Sequence, residues 1–124
     1  MATTNPPCAL RTTRASLPAL TGRALADVLA ERVRQIDEEG FTLEHDRGHH
    51  PGSLALASGS YINTAIDQLF GTHHLPTEKP DTWPWQREAW RPGTARENLI
   101  KGLAIGLAVL DRIDGQAGDT GEHT

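Results

Sequence analysis

The densest group of acid/base and ligand-type side chains in this chain lies in residues 31–50, where Glu31, Glu38, Glu39, His45, Asp46, His49 and His50 fall close together. Carboxylates one turn apart on a helix, with imidazoles folded back from the next loop, have the donor chemistry for a hard divalent cation such as magnesium. The metal-ligand set this implies is Glu31, Glu38, His45 and Asp46. The same residues could instead pair a general base with an electrostatic partner. A purely structural reading stands beside both: Glu31 and Glu38 bond Arg34 and solvent, and Asp46 caps a turn. The His-x3-His spacing falls in a glycine- and proline-bounded loop, not on a helix, so it does not by itself select a metal.

A second constellation runs from Trp83 to Gly93, Trp-Pro-Trp-Gln-Arg-Glu-Ala-Trp-Arg-Pro-Gly. Indole faces stack on bases and on cations, and a helix N-terminus favours anions. Trp83, Trp85 and Trp90 for stacking, with Arg91, Arg96 and Lys101 for charge, would suit a nucleotide-like or other anionic planar ligand, its polar groups read by Glu31 and Glu39. Alternatively the tryptophans form a small core that plugs the gap left by three helices. Nucleophilic catalysis has little to work with: there is no Gly-x-Ser-x-Gly elbow, no phosphate-binding glycine loop, and the single cysteine is Cys8.

Three helices are needed to position these groups. Thr21 caps a first helix over 22–39, with Leu25, Leu29, Val33 and Ile36, and Val28 alongside, as its apolar stripe and Gly40 as its stop. Ser53 caps a second over 54–70, rich in Ala, Gly and Ser and stopped by Gly71. Thr94 and Glu97 form a capping box for a third, with Ile100, Leu103, Leu107, Leu110 and Ile113 on one face and Gly115 at its end. Gly102 and Gly106, four apart, predict close approach of another helix. The expected fold is all-α: a small antiparallel bundle of three main helices with a long, ordered Trp/Pro loop. Residues 1–20 and 116–124 read as flexible tails around a single domain over 21–115.

Composition narrows the function classes. The net charge is −4 over 124 residues, but 1–23 hold Arg11, Arg14 and Arg23 and no acid, leaving 9 basic and 16 acidic residues in the remainder. An acidic body argues against duplex DNA as a partner. No apolar run approaches the ~18 residues of a membrane span. The leader has no secretory apolar core, and the absence of a disulfide framework fits a cytoplasmic protein. A thin core with few aromatics points to a homo-oligomer, in the simplest case a dimer.

Glu31-Arg32-x-Arg34-Gln35-Ile36, then Glu39-Gly40-Phe41-Thr42-x-Glu44-His45-Asp46, then Trp83-Pro84-Trp85 with Trp90-x-Pro92, resembles a family of small accessory proteins of phages and prophages. Arg96-Glu97-Asn98-Leu99-Ile100-Lys101 and Asp111-Arg112-Ile113-Asp114 resemble that family's closing helix, so the similarity spans about 28–115. The Glu-Arg-x-Arg-Gln helix is also similar to MazG-like all-α nucleotide pyrophosphohydrolases, which bind magnesium through a Glu-Glu-x-x-Glu helix and a later Glu-x-x-Asp. Here the second helix, 54–70, has Asp67 as its only acid, and the third helix lacks the second motif. These resemblances imply a mobile-element protein that binds, and by binding sequesters or senses, a nucleotide-like molecule. Two alternatives are a divergent metal-dependent pyrophosphohydrolase and an acidic module that inhibits a host protein.

Overall fold

A computed structural model describes residues 18–39, 50–71 and 78–121. It is all-α: helix α1 spans Ala19–Glu39, α2 Pro51–Phe70 and α3 Ala95–Gly121, with a short 3-10 turn at Arg87–Ala89 before α3. Among the described residues there is no strand, and no helix is long and apolar enough to cross a membrane.

Local chemistry explains most of the helix ends. The capping box at the start of α3 forms as expected: Glu97 N–H donates to Thr94 Oγ1 at 3.1 Å, and Thr94 N–H to Glu97 Oε1 at 2.8 Å. Gly71 ends α2 in the left-handed conformation, φ 70°, and its N–H reaches the carbonyls of Asp67 and Gln68. The start of α2 differs from expectation. His50, not Ser53, is the cap, its Nδ1 accepting from Gly52 N–H at 2.9 Å. Pro51 explains the earlier start, since its missing N–H costs nothing in the first turn and its fixed φ suits a helix. Helix α3 also passes Gly115, which keeps a right-handed φ; no neighbour there forces the chain to turn. The stop expected at Gly40 and the loop residues Phe41 and Leu43 lie outside the described residues.

Helix α3 is the common support, for α2 and α1 both pack on it. Helices α2 and α3 run antiparallel, with Ser58 beside Gly102 and Gln68 beside Asn98. Their closest approach is at Gly102, where an added Cβ would lie 2.7 Å from Ile62 Cγ1 and 2.9 Å from the Ser58 carbonyl. There the Ser58 hydroxyl donates to Gly102 O at 2.7 Å. Tyr61, Trp83, Trp90, Ala57 and Ile105 form the core cluster beside this contact.

The loop before α3 is held by a saturated polar lock. Asn98, fully buried, accepts from Gly93 N–H at 2.8 Å and donates to Gln68 Oε1 at 2.8 Å and Gly93 O at 3.1 Å. Gln68 Nε2 donates to the same carbonyl at 2.9 Å. Buried polar groups satisfied this completely rigidify a site without a desolvation penalty left over.

Helix α1 docks differently from the sequence expectation. Its buried residues are Val28, Arg32 and Gln35, whereas Leu25, Leu29 and Val33 of the expected core stripe are 52%, 51% and 55% exposed. Two of their polar atoms find partners: Gln35 Nε2 lies 3.5 Å from Lys101 O, and Arg32 Nη2 3.5 Å from Asp111 Oδ2.

The two glycines of α3 separate close approach from mere small size. Gly102→Ala is expected to cost about 1–3 kcal/mol by overpacking against Ile62 and the Ser58 backbone. Gly106→Ala, whose Cβ would meet only Ser58 Oγ at 3.5 Å, should be neutral or stabilise by up to ~1 kcal/mol. Urea denaturation of the two variants measures the difference.

Candidate functional site

The first wall of the site grows out of α1. Spacings of three and four place Glu31, Arg34, Gln35 and Glu38 on one flank, and Arg34 gathers the acids. Its Nε and Nη2 donate to the two Glu31 oxygens at 2.8 and 2.7 Å, Nη2 also to Glu39 Oε2 at 2.6 Å, and Nη1 to Glu38 Oε1 at 3.4 Å. Bidentate pairing fixes the plane of the Glu31 carboxylate. Burial alone would raise the Glu31 pKa, but hydrogen bonds from Arg34 and Gln35 and the charges of Arg34 and Lys101 outweigh it, and the net shift is downward. Arg34 shifts upward, chiefly through its Glu31 hydrogen bond, and stays charged wherever the fold persists.

The second wall is aromatic. Tyr61 of α2 stacks on Trp90 with centroids 4.5 Å apart, and Trp83 meets both edge-on at 5.5 and 5.0 Å. The Tyr61 hydroxyl accepts from Arg91 N–H at 3.1 Å; burial, the larger influence, raises its pKa. Trp83 is pinned by its indole N–H donating to Gln86 O at 3.0 Å. Trp85 lies edge-to-face on Trp83 at 5.3 Å and is half-buried. Lys101 stands 5.7 Å from the Tyr61 ring centre and donates to the Arg91 carbonyl.

Between the walls is a cleft of about 540 Å³ that includes Glu31, Gln35, Glu39, Trp85, Arg91 and Lys101 in its lining, a size suited to a small metabolite. Of the residues singled out from sequence, Glu31, Glu38, Glu39, Trp83, Trp85, Arg91 and Lys101 converge here. Trp90 sits behind the wall at 6% exposure, and Arg96 pairs with Asp27 at 2.8 Å away from the cleft. The first turn of α3 is closed by Thr94, Glu97 and Asn98 and does not open onto the cleft. His45 and Asp46 lie outside the described residues. Glu31 and Glu38 both turn to the Arg34 guanidinium, which holds the position between the acids that a bound cation would need. Among the described residues no group of three His, Cys, Asp or Glu side chains is disposed to hold a metal ion.

Gln35, Tyr61, Ala89 and Ile105 complete the lining with Arg34, which the sequence marks only as the partner of Glu31 and Glu38; none of the five was read as a site residue. Gln35 is the most informative of them. Only 2% exposed, it donates to Glu31 Oε2 at 3.1 Å and toward Lys101 O, and both acceptors fix which end of its amide is nitrogen. Its Oε1 has no hydrogen-bond partner, a buried acceptor that would gain from a donor.

Fold and site together define a small all-α protein with one aromatic and one charged wall around a cleft. In comparisons with known proteins no family model matches the chain, and no curated protein or solved structure matches it.

The downward shift of Glu31 gives stability a definite pH dependence. A depressed folded-state pKa contributes stability above the ordinary glutamate value of about 4.3 that is lost as pH falls below it. Thermal melts between pH 7 and pH 3 should therefore show a loss of stability on acidification. Glu31→Gln should lower the melting temperature at pH 7 and flatten that acid slope.

Proposed function

We propose that the cleft binds a nucleotide-like small molecule: a planar, nitrogen-rich ring carrying an anionic tail. The observation that carries this reading is that half-buried Trp85 lines one cleft with Glu31 and Gln35, the latter holding a buried acceptor, Oε1, without a partner. A ring stacked on Trp85 would turn its edge toward those acceptors, to which amino or ring N–H groups could donate. Arg91 and Lys101, in the same lining, would face the tail. The three acids and three bases of the lining cancel in formal charge, so shape and hydrogen-bond pattern, not bulk charge, would select the ligand. With the resemblance to phage accessory proteins, such a site suits sequestration or sensing of a host nucleotide.

Isothermal titration calorimetry with adenosine, AMP, ATP and the guanine series tests this. At least one nucleotide should bind, more tightly than its nucleoside. Trp85→Ala should weaken binding about ten-fold, given ~1–3 kcal/mol per stacked base. Arg91→Ala should weaken the nucleotide more than the nucleoside, with greater sensitivity to salt. Absence of binding by every nucleotide tested, with the fold intact by circular dichroism, contradicts the reading.

A further inference from the structure

Helix α1 presents its apolar stripe outward and its mixed polar stripe, Val28, Arg32 and Gln35, to α3. The outward face has a definite pattern. Gly22, Ala26, Leu29, Val33 and Ile36 follow one another at spacings of four, three, four and three, the repeat of a helix–helix seam. The first four are exposed, Leu29 and Val33 by about half. At 100° per residue this seam lies on the flank opposite Glu31, Arg34 and Glu38, so covering it leaves the cleft open.

The seam also indicates its own partner. It is small at one end, Gly22 and Ala26, and large at the other, Val33 and Ile36. Laid antiparallel on an identical helix about a two-fold axis at Leu29, Ala26 falls opposite Val33 and Gly22 opposite Ile36, so small meets large on both sides. The same register sets Arg23 near Asp37 of the other copy, twice by symmetry. Both are exposed, and among the described residues neither has an ion-pair partner. Self-complementarity of this kind is what an isologous interface requires.

We propose that the protein is a homodimer joined by antiparallel pairing of α1 with α1 of a second copy, centred on Leu29. The seam alone offers on the order of 400 Å² per copy, about half the ~800 Å² of a standard interface. Leu25, beside it on α1 and about half exposed, is apolar surface available to widen it, and α3 leaves Leu103, Leu110 and Ile113 exposed to a similar degree. The dimer also serves the cleft, because α1 supplies five of the twelve lining residues while burying only three side chains of its own on α3. A second copy would brace that wall from behind. The inference is independent of what the cleft binds.

Sedimentation equilibrium on the full chain should give twice the 13.5 kDa chain mass at micromolar concentration. Leu29→Glu, which sets two like charges across the axis, should give the monomer mass with helicity retained. Should that variant unfold, Leu29→Cys in a Cys8→Ser background decides. Under mild oxidation it should form a disulfide-linked dimer, whereas Leu56→Cys, at an equally exposed position of α2, should not. A wild-type monomer at 100 µM, which would leave the face to a different protein, overturns the proposal. So does a dimer that survives Leu29→Glu, or a result in which the Leu56→Cys variant crosslinks and the Leu29→Cys variant does not.

Discussion

Tyr61 is the post on which the structure hangs. One side chain joins the helical body to the proline-rich segment before α3. Its ring stacks on Trp90 and meets the edge of Trp83, and its hydroxyl takes the Arg91 N–H. That segment makes few regular backbone hydrogen bonds of its own, so its order must come from buried aromatic area and a few polar ties. The Asn98–Gln68–Gly93 network holds the far end of the same segment. With both ends fixed, Trp85 and Arg91 are carried to the edge of a cleft whose opposite wall belongs to α1.

The close contact at Gly102 is the condition for this arrangement. Only with α2 drawn tightly onto α3 does Tyr61 come beside Lys101 and Ile105. Among the described residues helix α1, by contrast, buries only Val28, Arg32 and Gln35, with a few polar ties and the Asp27–Arg96 ion pair to α3. The cleft thus has one rigid aromatic wall and one lightly anchored charged wall. Within the charged wall Arg34 works as an internal counter-ion that holds three carboxylates in one place and offsets one of their charges; Arg91 and Lys101 of the same lining balance the other two.

Much of this was legible in the sequence, for local reasons. The Thr94–Glu97 capping box, the Gly71 stop and the small residues of α2 act within a few positions of themselves, and their chemistry leaves few alternatives. The pairing of Glu31 and Glu38 with Arg34 follows from helical spacing alone. What could not be read was which of two adjacent stripes on α1 turns inward. Periodicity marks Leu25, Leu29 and Val33 as a face that must be covered, but not by what. Arg32 and Gln35 were not recognisable as docking residues because their partners, Asp111 and the Lys101 carbonyl, are remote in sequence. By spacing Tyr61 is one more face residue of α2, and only the tertiary contact with Trp90 sets it apart. The split among the tryptophans, with Trp90 behind the wall, Trp83 buried but reaching the lining and Trp85 half-buried at the cleft, likewise depends on tertiary contacts that no spacing encodes.

The space between Trp85 and the Glu31–Gln35 side of α1 is the proposed ligand site. Nuclear magnetic resonance tests it most directly, by following the three indole N–H signals and the Gln35 side-chain amide during titration with mono- and trinucleotides. Saturable shifts are expected at Trp85 and Gln35, with smaller ones at buried Trp83 and Trp90. Unmoved Trp85 and Gln35 signals at millimolar nucleotide, or shifts confined to residues outside the cleft, would contradict it.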